Sequence, residues 1–226
     1  LEKGDLEGKV LYEQSFISAD PSRSTVDEYG HGTHIAGIIA GSGENSDRKY
    51  KGIAYGASLL NLRVLDKDGA GYISYVLAAL NWCVSNKDNY NIRVINLSLG
   101  GPVLMSYKVD PLCRAVEISV SNGIVVVVSA GNYGKSGKGA KEETVYGGIT
   151  SPGNDPAALT VGAVNTWETT RRSDDTIASY SSRGPTLIDG ILKPDVVAPG
   201  NNIISVAQPS STLYTDYPKN RYPDRR

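Results

Sequence analysis

The sequence predicts an α/β fold built around a mostly parallel central sheet. Three observations carry that expectation. Short apolar runs alternate with stretches of helical periodicity. One run, Ile124 to Val128, is β-branched throughout, as in a parallel strand covered by helices on each side. The order strand, helix, strand, helix, strand then requires crossover connections and a doubly wound sheet. The 226 residues are 40% hydrophobic and 21% charged, enough to build a substantial core, and are read as one domain over 1–226.

Leu59 to Leu65 reads as the first clear strand, ended by the turn Asp66-Lys67-Asp68-Gly69. From Gly71 to Asn86, the residues Ile73, Val76, Leu77, Leu80 and Val84 recur at helical spacing. Val94 to Leu99 is a second strand, closed by Gly100-Gly101-Pro102. Asp110-Pro111 then opens a helix, with aspartate as cap and proline in the first turn, and Asn122-Gly123 ends it. After Ile124 to Val128 come strands expected at Leu159 to Val164, Thr176 to Tyr180, and Val196 to Val206 with an interruption at Pro199-Gly200. Tyr133 to Gly148 reads as a Gly- and Lys-rich surface excursion, and Gln208 to Arg226 as a polar tail.

Composition excludes several classes of function. A net charge of −1 gives no basis for nucleic acid or an anionic membrane as partner, and no apolar stretch reaches transmembrane length. Cys83 and Cys113 fall inside helical patterns and read as free core thiols.

The only two histidines lie in Gly30-His31-Gly32-Thr33-His34-Ile35-Ala36-Gly37. On spacing alone three readings stand: one surface and one buried histidine at a glycine-rich helix start, a general base, or a metal pair. Ile35 to Ala40 is apolar and small, so no carboxylate or cysteine follows to complete a ligand set.

The full string is similar to the catalytic-histidine signature of the subtilisin-like serine proteases (the subtilases, peptidase S8). Four further segments resemble the same family in the same order. They are Ile95 to Gly101, Ser129-Ala130-Gly131-Asn132, Ala178 to Pro185, and Lys193 to Gly200. Leu65 to Gly69 and the Trp82-Cys83 pair resemble its bacterial intracellular-type branch. The resemblance implies a three-layer αβα subtilisin-like fold and endoproteolysis through an Asp–His–Ser triad. It implies that His31 is the base, that Asn132 donates to the oxyanion, and that Ser98-Leu99-Gly100 pairs with the substrate backbone. Ser129 and Gly131 would border the same substrate site. Polypeptides are the implied partners, with the protein's own propeptide as a further one. The chemistry requires no cofactor. Structural calcium is common in the family, but Asp66, Asp68, Asp174 and Asp175 make no assignable site, and no metal ligand is named. Secretion and a bacterial cytoplasmic location both stay open.

Two expected residues do not match. Ser205, Ser210 and Ser211 lack the Gly-Thr-Ser-Met-Ala context of the family's nucleophile. The acid lies about 32 residues before the histidine in the family's order, which falls just before Leu1. Asp5, Asp20 and Asp27 are too near His31 to match it. The chain is therefore expected to be an interior piece of a longer gene, inactive alone. Two rivals remain. One is a peptide-binding relative without catalysis. The other is a phosphate loop ending in Gly134-Lys135-Ser136, which has serine where the first glycine belongs.

Overall fold

The computed structural model describes residues 4–137 and 142–222. Parts of the expected excursion (138–141) and tail (223–226) lie outside the described residues. The chain divides into two compact units, 1–79 with 204–226, and 80–203.

In the first unit, β1 (Val10–Ser15) pairs in parallel with β2 (Leu59–Arg63), with one register shift between Val10 and Tyr12. The intervening chain contains α1 (His31–Ala40). Arg63, at the end of β2 and 8% exposed, holds the loop before α1. It donates to Ser24 O (2.9 Å) and Leu65 O (3.2 Å), and pairs with Glu28 and Asp20. Segment 204–222, which includes the described part of the expected polar tail, is anchored at α1 and the loop before it. Ser205 Oγ donates to His34 O at 2.8 Å, and Thr212 N–H and Leu213 N–H donate to Glu28 O and Tyr29 O. Ser211 then caps α5 (Thr212–Asp216). Backbone pairing and buried side chains decide its position, which polar composition conceals.

The division between units falls within α2 (Ile73–Ser85), and α3 (Lys87–Tyr90) follows it. In the second unit, β3 (Val94–Leu97), β4 (Val125–Ser129), β7 (Leu159–Asn165) and β9 (Val196–Pro199) are joined side by side in parallel, β4 between β3 and β7. Two short strands, β5 (Lys135–Ser136) and β6 (Glu143–Thr144), form a separate antiparallel ladder. The strand expected at Thr176 to Tyr180 is only β8 (Thr176–Ile177), antiparallel to β7. The run from Val196 ends as strand at Pro199. The mostly parallel α/β sheet is thus present. Helix α4 (Pro111–Ser121) starts as read, with Asp110 Oδ1 accepting from Leu112 N–H at 2.8 Å.

Exposure alternates along β4. Val126 and Val128 are 1% exposed, but Val125 is 52% exposed. Val125 shares its face with Val94, and through the parallel register with Leu159 and Val196, all partly exposed. Helix α4 packs on β4. Cys83 and Cys113 are free and buried, and burial pushes their thiols up to about 11 and about 12. No helix among the described residues is long and apolar enough to cross a membrane.

Candidate active site

His31 is the first residue of α1, and the sequence before the helix sets it there. Gly30 takes φ 104°, a left-handed conformation that glycine adopts without strain. Its missing Cβ also admits Ser211, whose Oγ would lie 2.4 Å from a side chain there. Asp27 caps the helix from outside: Oδ1 accepts from Gly30 N–H and Oδ2 from Thr33 N–H, both at 2.7 Å. These bonds satisfy donors that a helix start leaves open, and place a negative charge at its positive end. Burial holds the His31 imidazole below its usual pKa, His34 adds to the effect, and Asp27 opposes it. The result is a neutral imidazole at pH 7, the form a general base requires.

Each early aspartate has a structural task. Asp27 caps, Asp5 accepts from Asn45 N–H at 2.9 Å, and Asp20 accepts from Ser22 and pairs with Arg63. Ser205 and Ser211 are likewise committed to the backbone around α1, Ser211 through Gln208 O at 2.7 Å.

The second unit brings the remaining candidates together. Ser98-Leu99-Gly100 continues from β3, and Ser129 to Asn132 from the neighbouring β4, so parallel pairing delivers both segments at the same sheet end. Ser129 Oγ donates to Leu99 O at 3.5 Å, a long contact. Gly131 has φ 100°, and its carbonyl accepts from Ser182 N–H at 3.0 Å. Tyr133 N–H donates to Ser182 Oγ at 3.0 Å, so Ser182 grips the loop on both sides of Asn132. Asn132 is exposed at the turn.

Sequence reasoning missed Thr150 and Ser151. Ser151 forms a two-bond bridge with Gly101, and Thr150 N–H donates to Ala130 O at 3.1 Å. They lie in a loop without periodicity or motif, so no local signal singles them out. Ser182 was inside a recognised block, though its contact with the Asn132 loop needed the fold.

The phosphate-loop rival is not supported by the geometry, because Lys135-Ser136, where the helix of such a loop would begin, is strand β5. Asp66 is a turn acceptor for Asp68 N–H and Ala70 N–H. Among the described residues no three His, Cys, Asp or Glu side chains gather as a metal site.

Comparison with known proteins gives a consistent set of likenesses. The model of the Subtilase family, Peptidase_S8, matches residues 2–224. The chain is 41% identical to Serine protease AprX of Bacillus subtilis (strain 168) over 214 residues, covering 92% of the chain and 46% of that protein. It is 38% identical to Subtilisin E of the same organism over 175 residues, 77% of the chain and 38% of that protein. Among solved structures, Sphericase superposes with a TM-score of 0.71 at 29% identity, over 90% of the chain and 63% of that structure. The chain thus spans less than half the length of these two curated relatives.

Proposed function

Since this chain belongs to the subtilase family, we propose that the full-length protein is a serine endopeptidase that cuts polypeptides, with His31 as its general base. The observation that carries the reading is the loop presenting Asn132. It is exposed, follows β4, is bent at Gly131 and is held by Ser182.

In this reading the substrate lies extended along Ser98 to Gly100, an added strand. Neutral His31 removes the proton of a serine hydroxyl as that oxygen attacks the scissile carbonyl. It then returns the proton to the departing amine. The Asn132 amide donates to the oxygen as negative charge develops there. A serine in the family's context is not among the residues of this chain, so the nucleophile belongs to the rest of the protein. None of these steps needs a cofactor.

The test is hydrolysis of unstructured protein by the full-length protein, together with labelling by a serine-directed fluorophosphonate. His31→Ala is expected to lower kcat/KM at least about 10³-fold and to abolish labelling. A wild-type protein that binds peptides but neither cuts nor labels is the peptide-binding rival, and the proposal fails.

A further inference from the structure

We propose that Ser151 and Asp110 form a positioning pair that clasps both ends of loop 102–109 and so holds the substrate-pairing segment Ser98 to Gly100 in place. The inference rests on the protease reading above and adds to it residues that act through that segment without meeting the substrate.

The need for a clasp follows from where the sheet stops. The ladder between β3 and β4 ends at Leu97 and Val128. Past it, Ser129 Oγ reaches Leu99 O at 3.5 Å, a weak tie. A segment that lends one edge to a substrate must be held from elsewhere, because ordering it on binding weakens affinity. Gly101 supplies the hold. Its N–H donates to Ser151 O at 2.9 Å, and its carbonyl accepts from Ser151 N–H at 3.0 Å. The chain then leaves through 102–109, where Leu104, Met105 and Val109 are exposed, and returns to the interior at Asp110.

Ser151 joins that return to the departure. Its Oγ donates to Asp110 Oδ2 at 2.8 Å, while Asp110 Oδ1 caps α4 through Leu112 N–H at 2.8 Å. Ser151 is 3% exposed and Asp110 7%, so water competes little for either group. The Cys113 thiol, 4.0 Å from Ser151 Oγ, donates instead to Asn154 Oδ1 at 3.4 Å. The serine proton is thus left to the carboxylate, in a charge-assisted bond. One residue therefore carries both the backbone of Gly101 and the carboxylate that starts an 11-residue helix. Loop 102–109 is closed at its base, and the segment before it takes its position from α4.

The experiment uses the full-length protein and two esters that share the residue and leaving group at the cut. One is the ester of a single blocked residue, the other of a blocked tetrapeptide, and the longer one pairs along the whole segment. Ser151→Ala keeps the backbone bonds to Gly101 and the cap of α4. It is expected to lower kcat/KM on the tetrapeptide at least about fivefold more than on the single residue, mainly through KM. Asp110→Ala should give the same selective loss. Asp110→Asn still caps α4 and can donate its amide to Ser151 Oγ, so it should keep the wild-type ratio within about twofold. The two aspartate variants decide the matter if Ser151→Ala does not fold. An equal loss on both esters marks a general structural role and overturns the inference, as does an unchanged ratio. A wild type that hydrolyses neither ester and takes no fluorophosphonate overturns the protease reading and this inference with it.

Discussion

At the scale of single residues, the candidate site depends on groups whose chemistry is set by what surrounds them. His31 is an ordinary imidazole held neutral by partial burial and a neighbouring histidine. Gly131 and Ser182 fix the loop of Asn132, which in the proposed reading lets its amide meet the substrate without reorganising. Asn132→Ala is expected to lower kcat of the full-length protein about 10²–10³-fold, with little change in KM. The side chain is exposed, so the unfolding midpoint should stay within about 0.5 kcal/mol of wild type. Steady-state kinetics beside urea denaturation checks both statements. A large loss of stability would show that Asn132 is a turn residue and not an oxyanion donor. The histidine motif and the Asn132 motif are legible in sequence because each is a contiguous string. Thr150 is not legible, since it reaches the site only by lying against residues 50 and 19 positions earlier.

At the scale of elements, helix α1 shows how much of a site is held by its supports. Its start has no side-chain cap from Gly30, and Asp27 supplies the missing acceptors from three residues further back. Asp27→Ala is expected to destabilise the protein by about 1–2 kcal/mol, the usual effect of losing a helix cap. It should also lower, and only slightly, the pH at which His31 loses its proton, because Asp27 raises that pKa but is the smallest of the three influences there. Denaturant titration gives the first quantity, and NMR titration of the imidazole gives the second. Strands β4 and β7 and helix α4 were legible from periodicity, with ends shifted by only a residue or so. Strand β1 was not, because Leu11-Tyr12-Glu13-Gln14-Ser15 is short and mixed, and its pairing with β2 comes from distant residues. The excess length expected for the strand after Val196 has a similar cause: apolar residues continue past Pro199, but the ladder with β7 does not.

At the scale of the whole molecule, a buried acid links stability to pH. Burial pushes the Asp155 carboxyl up to about 6 from 3.8, against the Ala157 N–H and Lys193, while Glu117 adds to the rise. A carboxyl with a raised folded pKa holds its proton more tightly in the native state. Stability is therefore lost as pH rises from about 4 through about 6, and the cost remains above that window. Asp155→Asn, in a His31→Ala background to prevent self-digestion, is expected to flatten that slope. It should gain about 1–2 kcal/mol at pH 7.5, a gain that vanishes near pH 4. Denaturation at a series of pH values tests this, and parallel curves for the two proteins would refute it. The sequence by itself determined the α/β class and the family, and singled out His31 and Asn132 as candidates, because periodicity and contiguous motifs are local properties. Only the tertiary structure decided that segment 204–222 packs around α1 and that Thr150 lies against both Gly100 and Gly131. Those are contacts between residues far apart in the chain, and they exist only once backbone pairing and burial have brought the segments together.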